Sequence, residues 1–297
     1  MAQYVYHPLM NAERQIRLLN LEPGSGVIRC SVRTESLVRS TYHSYEALSY
    51  CWGQPSDSKV KILVDDFIFF VTPSLHAALL RLRSDEPRTL WIDAICIDQS
   101  NLREKSTQIP LMRDIYSSCW RVVIWLGEHD ALTASALEGI EFMASRAQNR
   151  EQFNYYDWRK VRRAQDAEGA GRYLPLNGVT EILTSAAALT SFFSRPWFTR
   201  VWVIQELTLS ARAVAICGKY QIDWDLIVKA DEVSKTNFEH DLSTLRRFRT
   251  WPETMSYDIL NRMIMAWHKE ATNPRDKIYG LLGLEEVPSG KGMIDVD

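Results

Sequence analysis

Apolar and polar positions along the chain alternate between two periods, and the changes of period mark out the elements. Gln15 to Leu21 and Val27 to Val32 alternate residue by residue around a turn at Pro23-Gly24-Ser25-Gly26, the signature of a β-hairpin. Tyr45 to Gly53 reads as a strand running into a glycine, where the backbone must turn. Lys61 to Val64 and Phe67 to Val71, joined by Asp65-Asp66, form a second hairpin. Thr72-Pro73-Ser74 then opens a helix carrying Leu75, Leu79 and Leu82.

The central stretch predicts a βαβ crossover, which implies a parallel sheet. Leu90 to Gln99 and Val122 to Leu126 are the strand-like runs. Between them, Ile109, Met112, Ile115, Tyr116 and Cys119 recur at helical steps. Proline is tolerated in a first turn, so Pro110 places the start of this helix near Ser106 or Thr107.

Beyond it, Leu132, Leu137, Ile140 and Met143 give another amphipathic helix, and Asn154 to Gly178 is a charged, weakly periodic excursion. Trp197 to Leu207 reads as a helix by length and context, although its periodicity also fits a strand with Val201 and Val203 against Trp202 and Ile204; Ala213 to Trp224 reads as a strand and short return, and Asp225 to Val233, Ser256 to Lys269 and Arg275 to Leu284 as helices. The alternation predicts an α/β chain with a three-layer core around a parallel sheet, N-terminal β-hairpins and additional helices. Residues 1–44 form the hairpin region, 45–284 the main domain with its excursion near 154–178, and 285–297 a tail.

Composition sharpens this picture only in places. The 297 residues are 46% hydrophobic, enough to bury a large core, and the net charge of -2 supplies no field for nucleic acid or an anionic membrane. The five cysteines lie in apolar runs without CxxC or Cys/His spacing, which predicts reduced core thiols, no metal site and a cytoplasmic protein. Met1 to Arg17 lacks the apolar segment of a signal peptide, and no run of about 18 apolar residues suggests a membrane span.

Candidate chemistry collects at predicted strand ends. Asp93, Asp98 and Glu128 lie there, the place where open α/β sheets bind ligands. Asp93 and Asp98, five residues apart, fall on opposite faces of a regular strand and so form no obvious acid/base pair. Glu206 stands out because a carboxylate in an aromatic-rich helix is costly to bury unpartnered. A structural ion pair with Arg195 or Arg200 and a role in a site both fit that position. There is no GxGxxG, GxxxxGK[ST], GxSxG or HExxH pattern.

Taken together, Tyr45-Glu46-Ala47-Leu48-Ser49-Tyr50-Cys51-Trp52-Gly53, Leu90 to Gln99 with Gln108 and Ile115-Tyr116, Val123 to Gly127, Arg195-Pro196-Trp197-Phe198 through Trp202 to Glu206, and Asn273 to Leu284 resemble the fungal heterokaryon incompatibility domain. The match runs in order from about Tyr6 to Leu284, with Pro110 a departure from the usual pattern. The resemblance implies a cell-death effector in fungal non-self recognition and a distant relation to Toll/interleukin-1 receptor (TIR) domains, hence a TIR-like, flavodoxin-like core. On that fold the strands would be Ala47 to Tyr50, Leu90 to Ile95 and Val122 to Leu126, followed by the helix Phe198 to Ser210.

Some TIR domains hydrolyse NAD at the nicotinamide-ribose bond through one glutamate near a tryptophan, and Glu206 matches it here. The resemblance then implies NAD or a related nucleotide as substrate rather than cofactor, with Ser49, Trp52, Gly53, Asp93, Asp98 and Trp202 as substrate-binding candidates. For Trp52 and Trp202, core packing is an equal reading, and for Asp93 and Asp98, strand-end capping. The resemblance also implies a homo-oligomer on activation and an upstream receptor or allelic partner. A non-catalytic module that signals death by self-association is the other reading the family allows.

Overall fold

The computed structural model describes residues 2–12, 14–37, 44–53, 58–148, 187–233, 240–250 and 259–284. The excursion near 154–178 and the tail 285–297 lie outside the described residues. Nine strands form one sheet: β1 (Gln15–Leu21), β2 (Arg29–Ser36), β3 (Glu46–Tyr50), β4 (Val60–Val64), β5 (Phe67–Val71), β6 (Arg88–Trp91), β7 (Arg121–Trp125), β8 (Ala213–Cys217) and β9 (Tyr220–Asp223). Their spatial order is β5-β4-β2-β1-β6-β3-β7-β8-β9.

Four neighbouring strands, β6-β3-β7-β8, are mutually parallel. All five residues of β3 and of β8 are buried, as expected of central strands covered on both faces. The expectation of a parallel sheet is corrected to a mixed one. Both N-terminal hairpins join the same sheet, β1 docking antiparallel on β6 and β2 running parallel to β4, while β9 returns antiparallel on β8. These pairings satisfy ladder donors that would otherwise stand open along β6 and β8. The outer strand β5 is met in turn by Gln3, with the Tyr4 amide donating to the Ile68 carbonyl at 2.9 Å.

The helices are α1 (Pro73–Leu82), α2 (Asp93–Cys96), α3 (Leu102–Ser118), α4 (Thr133–Gln148), α5 (Pro196–Thr199), α6 (Trp202–Thr208), α7 (Trp224–Val233), α8 (His240–Thr250), α9 (Ile259–Met265) and α10 (Asp276–Leu282). Thr72 caps α1 as its sequence suggests, accepting from the Leu75 amide. No helix among the described residues is long and apolar enough to cross a membrane.

Two elements around the crossover differ from expectation. The run Leu90 to Gln99 is not one strand, because after Trp91 and Ile92 it turns into α2, a single helical turn. A short apolar run such as Ala94-Ile95-Cys96 reads alike in a buried strand and in a buried turn. Helix α3 begins at Leu102, capped by the Asn101 side chain, which accepts from the Glu104 amide, so Pro110 lies inside it. An interior proline costs roughly 3 kcal/mol, and the first two turns are held by tertiary contacts that offset it. The Arg17 guanidinium grips both Glu104 oxygens, at 2.5 and 3.0 Å, and the buried Gln108 amide donates to the carbonyls of Ala12 and Gln15.

Candidate functional site at the carboxyl end of β3

From β3 the chain passes through the β4–β5 hairpin and α1 to β6 on one side of β3, and then crosses over to β7 on the other, so the order of the parallel strands reverses beside β3. Ligand sites of open α/β sheets lie outside the carboxyl ends of the strands at such a reversal. Ser49 and Tyr50 end β3 there, Asp93 follows β6, and α5 and α6 bring Trp197, Arg200 and Glu206.

Pro196 opens α5 at its first position, which makes Trp197 the second residue of this single turn. Trp197 is buried edge-on against Phe198 and Trp224, with centroids 5.2 and 5.4 Å apart. Its indole N–H donates to Ser49 Oγ at 2.7 Å, and the Ser49 hydroxyl donates to Glu206 Oε2. Arg200 follows in extended backbone and donates from Nη1 to the Tyr50 carbonyl. This stretch is secured from the C-terminal side. The Val201 amide donates to the Glu270 carbonyl at 3.0 Å, the Glu270 amide to Thr199 at 2.6 Å, and the buried Lys269 ammonium to the Phe198 carbonyl at 2.5 Å.

Residues 203–207 of α6 are buried without a break, so this helix has no open face. On its outer side α10 approaches through glycines. A Cβ at Gly280 would stand 3.5 Å from the Val201 methyls, and one at Gly283 only 2.2 Å from Gln205 Nε2. Glu206 is accordingly 4% exposed.

The electrostatics follow from this enclosure. Burial pushes the Glu206 carboxyl up to about 7, held from rising further by Arg200 and by the Ser49 hydrogen bond, while Asp93 adds to the rise. Arg200 and Glu206 make no ion pair within 4.0 Å among the described residues, so the charge acts across a gap. Arg195 turns away to the Leu126 and Glu128 carbonyls and to Asp130. The buried carboxylates Glu46, Glu104 and Asp231 each touch an arginine, whereas Glu206 touches a hydroxyl.

The remaining candidates divide. Asp93 caps its own helical turn through the Ala94 amide at 2.7 Å and receives the Trp52 indole N–H at 3.0 Å. Burial raises its carboxyl against the pull of Arg200, and the Trp52 ring is 40% exposed beside it. Trp202 lies half-buried one helical turn before Glu206. Gly53 is exposed at φ +86°, a left-handed conformation that explains the glycine, with open space where a side chain would go.

Asp98 is not drawn in: its Oδ1 accepts from the Ser100 amide and hydroxyl at 3.0 and 2.7 Å, closing the turn before α3. Glu128 is exposed. Trp197 and the Tyr50 carbonyl were not among the residues singled out. The available signal was that a serine in an all-buried strand needs a partner for its hydroxyl.

The fold and site thus define an α/β domain with a near-neutral buried carboxylate at a sheet switch point. Comparison with known proteins gives its family. A model of the family described as "Heterokaryon incompatibility protein (HET)" matches residues 45–206, more than half of the chain, and the chain belongs to that family. It is 32% identical over 333 aligned positions to "Heterokaryon incompatibility protein 6, OR allele" of Neurospora crassa, covering 93% of this chain and 48% of that protein. The chain therefore spans about half the length of this curated relative. No solved structure gives a significant match.

Proposed function

We propose that this domain is a cytoplasmic cell-death effector of fungal non-self recognition that hydrolyses NAD, with Glu206 as its catalytic carboxylate. The observation that carries the reading is that Glu206, alone of the four buried carboxylates named above, is held by a hydroxyl instead of an arginine, in surroundings whose desolvation pushes its carboxyl up to about 7. The order of the parallel strands, second-first-third-fourth in chain sequence, supports a TIR-like, flavodoxin-like core.

In the proposed reaction the bond between nicotinamide and ribose C1′ breaks, and its electron pair goes to the ring nitrogen, which loses its positive charge. The ionised Glu206 stabilises the oxocarbenium-like ribose, water attacks C1′, and the proton of that water passes to the carboxylate or to solvent. Exposed Trp52 is placed to stack on a planar ring and Asp93 to accept from ribose hydroxyls, with Gly53 and Trp202 at the margins. A substrate reaches Glu206 only once the enclosure around it opens, and self-association on activation, by an upstream or allelic partner, is the proposed trigger.

The enclosure itself favours a second reading, a module that signals by self-association without turnover. The two are separated by following nicotinamide release from NAD by the purified chain at high concentration, beside Glu206→Ala and Glu206→Gln variants checked for folding. Release by the unaltered chain, reduced at least about a hundredfold in both variants, is expected. A silent chain, even when clustered, decides for the signalling module.

A further inference from the structure

We infer that Ser49 is a positioning residue rather than a substrate contact: with Trp197 it forms a one-way hydrogen-bond relay that commits its single proton to Glu206. The donor inventory carries this. An indole N–H only donates, so the 2.7 Å contact from Trp197 makes Ser49 Oγ an acceptor on that side. The Ser49 hydroxyl has one hydrogen left to give, and Glu206 Oε2 is the group it meets. Ser49 is 1% exposed and lies inside a strand buried on both faces, so no ligand can compete for that hydrogen without dismantling the sheet end.

Trp197 is in turn locked between Phe198 and Trp224, which fixes the direction of the relay. A protonated Glu206 could give its hydrogen to the second lone pair of Ser49 Oγ only by taking from the Ser49 hydrogen the acceptor it now has, leaving that buried donor unpaired. The relay therefore favours the ionised carboxylate against the burial that opposes it. The other groups acting on this position are Arg200, which also favours the charge, and Asp93, Cys51, Tyr50 and Tyr116, none of which donates a hydrogen bond to it among the described residues.

The consequence for rate rests on the NAD reading, whereas the consequence for titration does not. The experiment reads both: the Glu206 side-chain signal in 13C-glutamate NMR, identified by its loss in Glu206→Gln, and the pH profile of nicotinamide release. In Ser49→Ala the carboxyl should titrate about one pH unit higher, which corresponds to about a fivefold slower release at pH 7, recovered near pH 9. Ser49→Thr, which keeps the hydroxyl, should restore both values. If Ser49→Ala loses its fold, Ser49→Cys, a weaker donor, should move the titration the same way by less. An unmoved Glu206 titration in a folded Ser49→Ala or Ser49→Cys chain overturns the relay. Should the unaltered chain release no nicotinamide, the NAD reading falls while the titration still decides the relay.

Discussion

Strand β3 links two buried glutamates whose surroundings could hardly differ more. Glu46, its first residue, is 7% exposed and accepts from Arg88 Nη2 and Arg121 Nε, each at 2.6 Å. At the other end Glu206 is buried to a similar degree but meets the Ser49 hydroxyl, with Arg200 acting from beyond contact. Burial alone therefore does not fix how the charge of a carboxylate is compensated. The partner does: two arginine contacts compensate a charge taken from water, whereas one hydroxyl leaves the desolvation cost largely standing.

That contrast is most sharply tested by removing each acid in turn. Glu46→Ala strands two partly buried guanidinium groups, and the expected loss is about 3 kcal/mol, read as a lower urea midpoint at unchanged slope. A loss within about 0.5 kcal/mol would erase the distinction from that side. Glu206→Gln should act in the opposite sense. Because burial lifts this carboxyl from 4.5 to about 7, the native chain holds its proton more tightly than the unfolded one. The stability belonging to the protonated form is complete below about pH 4.5 and is lost as pH rises through 7.

Glu206→Gln should thus stabilise the fold by about 3 kcal/mol at pH 8 and by little at pH 4.5, seen in paired denaturation curves. A destabilised variant at pH 8 would mean that Glu206 is a structural partner like Glu46. The smallest effect is expected at the rim, where Trp52→Phe removes one half-exposed hydrogen bond to Asp93. Its cost should stay below about 1 kcal/mol, while NAD turnover, if the ring stacks as proposed, falls with KM rising more than kcat.

What the sequence made legible follows the range of the interactions. The hairpins β1–β2 and β4–β5 and the start of α1 are set by neighbours: alternating residues, a turn, a Thr-Pro cap. Glu206 also stood out, as a carboxylate costly to bury where it lies, and Asp93 by its place at a strand end, whereas Trp52 entered only through the family resemblance. The docking of β1 on β6 did not, because antiparallel and parallel neighbours of a buried strand share one apolar pattern. Pro110 misled for a related reason, its local penalty being outweighed by Arg17 and Gln108 contacts with residues far away in sequence. The Trp197–Ser49 contact spans 148 positions, and no spacing rule reports on it.

The match to the family model ends at Glu206, yet the wall behind that residue is built much later in the chain. Val201 is pinned by Glu270, Phe198 by Lys269, and α6 is closed off by Gly280 and Gly283. A polypeptide halted at the border of the family match would carry every proposed site residue and still leave α6 with its outer side in water. Truncations and frameshifts downstream of that border are, on this architecture, lesions of the enclosure around Glu206.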